Sequence, residues 1–221
     1  VVRIDMKERF VRARKGVVLC AGGFIMNKEM LQKYAPKLLR GNVPIGNPGD
    51  TGTGIQMGIS VGAAAINMHE GFMTIPFYPP GNMTFGIFVN AMGQRFINED
   101  AYHGRVGTYA IQQPGDRLYM IVAAEDYGNF DRKPFFNGDI VGTGETAEEL
   151  EQELGFPPNS LAHTINFYSE HAAKGDDPLF HKSPQWLKPL TPPLVAIDAT
   201  PERGAIFPCF TLGGLDTLPT G

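Results

Sequence analysis

Val17-Val18-Leu19-Cys20-Ala21-Gly22-Gly23-Phe24 is the stretch on which the reading of this chain turns. Five consecutive apolar residues suit a strand buried on both faces, as in the parallel or mixed sheet of an α/β domain. The glycine pair that ends the run lets the backbone approach another group without a Cβ in the way, and α/β sheets bind ligands at the carboxyl ends of their strands. An ordinary tight turn would use the same pair. Upstream, Val1–Ile4 and Arg9–Arg14 alternate apolar and charged residues around a charged turn, which predicts a β-hairpin.

Downstream, Asn27 precedes the short amphipathic stretch Lys28–Tyr34, a helix capped by Asn27 and stopped by Pro36. Gly41–Asp50 reads as loop and Thr51–Ala65 as a second helix, with Gly54, Gly58 and Gly62 on one face. Each glycine inside a helix costs up to ~1 kcal/mol relative to Ala, so three of them need a packing or binding reason. Beyond Asn67 the pattern changes to short strands and aromatic loops. Phe85–Asn90 and Arg95–Asn98 form an expected hairpin, and Arg117–Ala124 a strand. Glu145–Leu154, opened by a Thr146/Glu149 capping box, and Ser160–Lys174 read as helices. A proline-punctuated linker over Asp176–Pro193 leads to strands at Leu194–Asp198 and Ile206–Phe210, and Gly213-Gly214 make another glycine turn.

Composition excludes several classes. The 221 residues include 27 Gly and 18 Pro, about a fifth of the chain where average usage gives about an eighth. The excess has no period, which excludes collagen, and 43% hydrophobic residues exclude disorder. A net charge of −4 without long basic runs argues against nucleic acid as a partner. No run approaches the ~18 apolar residues of a membrane span, and no signal-peptide pattern is read in these residues. The opening on Val1 and the close on a turn suggest an internal piece of a longer protein. Cys20 and Cys209 lie in apolar runs and read as reduced core residues of a cytoplasmic protein.

Four motifs could carry chemistry. Ala21-Gly22-Gly23 is the first. The second is Asp50-Thr51-Gly52-Thr53-Gly54, where the N–H groups of a helix start would favour a diphosphate, or where Asp50 is simply the N-cap. It is not a dinucleotide fingerprint, because Met57 stands where the third glycine belongs. Third, Arg95, Asn98, Glu99, Asp100 and Tyr102 crowd one hairpin and its exit. They form either a solvated salt-bridge cluster or a setting in which Tyr102 acts as acid or base. Fourth is Thr211-Leu212-Gly213-Gly214, a glycine pair after an apolar run or a closing turn. The five histidines have no metal-ligand spacing, so no metal is expected, and neither G-x-S-x-G nor C-x-x-C occurs.

In order, "VVLCAGGF", "NKEMLQKYAP", "GDTGTGIQMGISVGA", "VNAMGQRFINED" and "FTLGGL" resemble the fumarate reductase/3-ketosteroid dehydrogenase flavoprotein family. The resemblance implies a Rossmann-like α/β FAD-binding domain interrupted by an α+β cap. Residues 1–68 and 194–221 would belong to the partial FAD domain and 69–193 to the cap. It places Ala21, Gly22 and Gly23 near the adenosine of FAD, and Asp50, Gly52, Thr53, Gly54, Thr211, Gly213 and Gly214 nearer the diphosphate and flavin. The family's opening strand–GxGxxG–helix is missing, which implies an incomplete FAD site.

Fumarate reductases carry histidines where this chain has Thr74 and the Cys209-Phe210 pair, so the pocket looks suited to a less charged substrate. The steroid branch places a tyrosine where Tyr102 stands. The resemblance therefore implies an FAD-dependent dehydrogenase of 3-ketosteroids, of the Δ4-(5α) or Δ1 type. Tyr102 would remove a proton while hydride passes to flavin N5, Thr74 and Phe210 would line the substrate pocket, and Phe72, Phe77, Tyr78, Phe85 and Phe88 would either suit a flat apolar ligand or fill the cap core. An electron acceptor of unknown identity is the other implied partner. A fumarate or enoate reductase, or a non-catalytic fragment without cofactor, remains open.

Overall fold

The computed structural model describes residues 1–75, 81–128 and 138–218. Phe77 and Tyr78 lie outside them. The strands are β1 (Val2–Ile4), β2 (Lys7–Arg9), β3 (Val43–Pro44), β4 (Ala65–Ile66), β5 (Gly71–Met73), β6 (Ile87–Asn90), β7 (Leu118–Ala123), β8 (Ile140–Gly144), β9 (Leu194–Asp198), β10 (Pro208–Thr211) and β11 (Gly214–Leu215). The helices are α1 (Lys28–Tyr34), α2 (Thr53–Ser60), α3 (His103–Ala110), α4 (Ala124–Gly128), α5 (Ala147–Glu153) and α6 (Leu161–Ala172). The class is mixed α/β.

The largest sheet is antiparallel, in the order β6-β7-β9-β8. Its two central strands are buried on both faces. Successive side chains alternate between faces, and the core divides accordingly. Tyr119, Ile121, Leu194 and Ala196 pack with Leu150 of α5 and with Leu161, Ile165 and Tyr168 of α6. Leu118, Met120, Val122, Val195 and Ile197 pack with Val106 of α3, Met73 of β5 and Phe24. A second sheet, β3-β10-β5, joins β10 parallel to β3 and antiparallel to β5, and β11 pairs with β4.

Local chemistry explains several elements. The Asn27 side chain accepts the Met30 N–H at 3.1 Å to open α1. Thr146 accepts the Glu149 N–H at 3.1 Å to open α5. The Glu149 carboxylate reaches back to Glu145 N rather than to Thr146, so the capping box closes one residue early. The helix expected over 51–65 stops at Ser60, because Gly62 takes a left-handed φ of +97° and the Ala63 N–H returns to the Gly58 carbonyl.

The structure corrects other expectations. Val17–Ala21 forms no strand: among the described residues it pairs with no other segment, and Val18 is 87% exposed. An apolar run needs strand neighbours on its edges before burial can favour extended pairing. Cys20 is consequently exposed, while Cys209 is buried. The first hairpin is tighter than expected, turning at Asp5-Met6 with both residues at positive φ. The return strand at Arg95–Asn98 is a single bridge, Arg95 to Val89.

Leu194–Asp198 lies between β7 and β8 in the largest sheet, and Gly71–Met73 pairs with β10. Helix α3 and strand β8 had no sequence signal. Two glycines weaken the helical pattern of His103–Ala110, yet a Cβ on Gly107 would press on the main chain of Met73 and Thr74 at 2.6 Å. The glycines allow α3 to lie directly on β5.

Candidate functional site

The separated glycine motifs meet at one cleft of about 730 Å³. Val17–Gly23 forms one wall, the start of α2 at Gly54 and Ile55 a second, and Thr211, Gly213, Gly214, Leu215 and Thr217 a third. Thr211 ties the walls together, its hydroxyl oxygen accepting the Phe24 N–H at 3.2 Å. The Gly52 N–H donates to Gly23 O at 2.9 Å, and Met26 N–H to Asp50 O at 3.0 Å.

Of the residues singled out in the sequence, Ala21, Gly22, Gly23, Gly54, Thr211, Gly213 and Gly214 line this cleft. Asp50, Gly52 and Thr53 stand behind it as supports. Asp50 is not the N-cap of α2: its carboxylate accepts the Asn47 N–H at 2.9 Å, and Gly52 holds the cap position. The Thr53 hydroxyl bonds that of Thr51.

Most of the glycines are required by the protein itself. A Cβ on Gly22 would strike the Asp50 carboxylate, on Gly23 the Thr211 hydroxyl, on Gly54 Ala21, and on Gly213 the main chain of Asn67 and Met68. A Cβ on Gly214 would meet no protein atom within 4 Å.

Phe210, the neighbour of Thr211 on β10, belongs to a second group. Its ring stacks on Phe72 at 4.8 Å and 20°, across the β10–β5 pair. Phe72 in turn touches Tyr102 (6.1 Å) and meets His103 edge-on (5.9 Å, 83°). The buried Thr74 hydroxyl bonds Nδ1 of His103. Tyr102 and Phe210, 108 residues apart in sequence, thus meet on one phenylalanine, and Thr74 joins them through His103. Tyr102 is 66% exposed and stands at the N-cap of α3.

Burial holds the His103 imidazole below the ordinary histidine range, so it is neutral at neutral pH. The sequence did not single out His103. A histidine after tyrosine has no spacing to flag it, and only the unforeseen helix places it on Phe72.

Within the third motif, Arg95 and Glu99 are sealed rather than solvated, while Tyr102 is exposed. Arg95 bonds Glu99 and Asp177 in paired contacts of 2.9–3.2 Å, and Lys182 Nζ lies 3.2 Å from Glu99. All four side chains are buried. Glu99 also accepts the Phe88 N–H, while Lys182 donates to Gly86 O at 2.7 Å and to the Tyr168 hydroxyl. The Arg95 guanidinium lies over the rings of Tyr168 and Phe180.

Burial alone would push the Glu99 carboxyl up, but Lys182 and Arg95 outweigh it and hold it below the usual carboxylate range. The same carboxylates keep Arg95 raised against its burial. This cluster braces the exit toward Tyr102, since Asp100 accepts the Ser183 N–H at 3.0 Å. Phe88 is core, and Phe85 pairs with Trp186.

Residues 1–221 match the FAD binding domain family. The chain is 31% identical to the NADH:acrylate oxidoreductase of Vibrio harveyi, over 97% of its own length and 22% of that protein. It is 28% identical to a 3-oxosteroid 1-dehydrogenase of Mycolicibacterium smegmatis, over 80% of its length and 36% of that protein. Among solved structures it is similar to the 3-ketosteroid-Δ4-(5α)-dehydrogenase of Rhodococcus jostii in complex with 4-androstene-3,17-dione. That likeness has a TM-score of 0.83 and 35% identity, over 94% of this chain and 42% of that one. The chain spans less than half the length of each of these relatives.

Proposed function

The chain belongs to the FAD binding domain family of flavin-dependent oxidoreductases, and on that premise we propose that it supplies part of the FAD site and the substrate face of a 3-ketosteroid dehydrogenase. The cleft fits the cofactor in two respects. Gly214 faces open space where a Cβ would intrude on a ligand. The first turn of α2, whose N–H groups precede the helical ladder, contributes Gly54 and Ile55 to the wall. In this reading Gly54, Gly213 and Gly214 border the diphosphate and flavin, with Asp50, Gly52, Thr53 and Thr211 holding those walls in place. Ala21, Gly22 and Gly23 border the adenosine.

Bound FAD supplies the two-electron acceptor, receiving hydride at N5. The chain's own residues do the rest. Tyr102 removes the proton beside the ketone. Phe72 and Phe210 offer a flat apolar surface, and the uncharged Thr74 and Phe210 disfavour a dicarboxylate. The interrupting unit around the β6-β7-β9-β8 sheet acts as the cap, and two free thiols suit a reducing, cytoplasmic setting.

The observation that carries the reading is the adjacency on β10: Thr211 opens on the glycine cleft while Phe210 stacks in the Tyr102 cluster. Cofactor side and substrate side are neighbouring residues of one strand. The test is Tyr102→Phe in the FAD-loaded protein, with a saturated 3-ketosteroid and a dye acceptor. Loss of at least about a hundredfold in kcat is expected for a general base, and a rate within about tenfold of wild type removes Tyr102 from that role.

The likeness to the NADH:acrylate oxidoreductase over nearly the whole chain favours one second reading, the same chemistry run as enoate reduction. Acrylate- or fumarate-dependent oxidation of a reduced dye, with no steroid-dependent turnover, would select it. A non-catalytic fragment is the remaining alternative, and a preparation that takes up no FAD would select that.

A further inference from the structure

The Tyr102 side chain is largely exposed, and among the described residues its ring contacts are with Phe72 and His103, the latter at 4.4 Å between centroids. Gly104 makes room for this, since a Cβ there would strike the Phe72 ring and lie 2.9 Å from the Tyr102 ring. The direction of the phenol therefore depends on how the imidazole beside it is held.

Thr74 holds it from buried ground at the end of β5. Its hydroxyl makes two contacts, to His103 Nδ1 and to the Ile75 carbonyl at 3.2 Å. A threonine hydroxyl has one proton, and a carbonyl can only accept. Both contacts are satisfied together in one arrangement: Nδ1–H donates to Thr74 Oγ1, and the hydroxyl donates to Ile75 O. That arrangement uses the Nδ1–H tautomer and holds the ring from one side.

We propose that Thr74 and His103 are a positioning pair for Tyr102: Thr74 locks the imidazole through Nδ1, and the locked imidazole with Phe72 aims the phenol at the substrate. This deepens the dehydrogenase reading and rests on it. In this role both act through the tyrosine.

The test separates hydroxyl from packing in the FAD-loaded protein. Thr74→Val keeps the branched shape and loses the hydroxyl, whereas Thr74→Ser keeps the hydroxyl and loses a methyl. With a saturated 3-ketosteroid and dye, Thr74→Val is expected to lower kcat about tenfold at little-changed KM, the scale of a small misplacement. Thr74→Ser is expected to retain most of kcat. A packing role gives the opposite order, with Val silent and Ser costly, and overturns the proposal, as do two silent variants.

A second readout is independent of turnover. The ¹⁵N shifts of the His103 ring, identified by their loss in His103→Gln, are expected to report Nδ1–H in the wild type and a change of tautomer in Thr74→Val. If Tyr102→Phe stays active but this tautomer change is seen, the base assignment fails while the lock stands. If the wild-type ring carries its proton on Nε2, the lock itself is wrong.

Discussion

Two regions of this molecule join distant parts of the chain by opposite means. In the cleft, the Thr211 hydroxyl reaches the Phe24 main chain across 187 residues, and the other ties are main-chain bonds and missing side chains. In the quartet, Arg95 reaches Asp177 across 82 residues, and the bonds that close it are between charged side chains. The cleft stays open to whatever approaches its main chain. The quartet is closed, two positive charges against two negative ones, and offers no free surface. Glycine here provides room, while buried charge provides fixed position.

The strongest way to break the comparison is to uncouple the quartet. Glu99→Gln leaves Arg95 and Lys182 buried with only Asp177 between them. Removing one partner of such a network costs ~3–5 kcal/mol, because the remaining charge is left uncompensated. Denaturant unfolding without added FAD should show that loss, since bound ligand would mask part of it. Glu99→Gln combined with Lys182→Met should recover a portion, the mark of direct coupling.

Acid should do to Glu99 in part what the substitution does outright. Its carboxyl lies below the usual range in the folded protein, so the unfolded chain binds its proton first. The stability it contributes is complete above the unfolded carboxylate value of ~4.3 and is lost as pH falls through the lower folded value. Unfolding free energies for wild type and Glu99→Gln should differ by a constant amount between about pH 5 and 7 and converge below about pH 4. A difference that persists undiminished to pH 3 would mean the contribution of Glu99 is not its charge.

The cleft yields a smaller, two-sided effect. Gly213→Ala places a methyl against the Asn67 carbonyl and Met68 Cα, main-chain atoms that cannot swing away, and should cost ~1–3 kcal/mol. Gly214→Ala meets nothing and should change stability by less than ~0.5 kcal/mol, while weakening FAD retention measured by flavin absorbance. If Gly214→Ala holds FAD as wild type does, Gly214 does not face the cofactor.

The same contrast explains what could be read in advance. Glycine pairs and turns are local signals, so Gly22-Gly23, the start of α2 and Gly213-Gly214 could be picked out, while the packing of Gly22, Gly23 and Gly213 against Asp50, Thr211 and Asn67 could not. The partners of Arg95 and Glu99 could not be found locally. Asp177 and Lys182 sit in a segment that reads as a proline-rich linker, and charge alone does not say whether it is solvated. Val17–Ala21 failed as a strand because apolar sequence specifies a preference for burial, and pairing needs an edge to bury against. Helix α3 failed the other way: its glycines look like breakers until β5 is seen pressed against them.

The least disruptive probe uses the two thiols, one from each kind of environment. Cys20 is exposed on the cleft wall. Cys209 is buried under Leu38, and burial pushes its thiol up to about 11. The thiolate is the reactive form, so a thiol reagent at neutral pH should modify one cysteine rapidly, and Cys20→Ser should abolish that phase without altering the unfolding midpoint. Loading with FAD should slow the phase by more than about fivefold, since occupancy removes the reactive population by mass action. Equal rates with and without FAD would place the cofactor away from Val17–Ala21, leaving Thr211, Gly213 and Gly214 as the cofactor wall and the exposed run beside them for another contact.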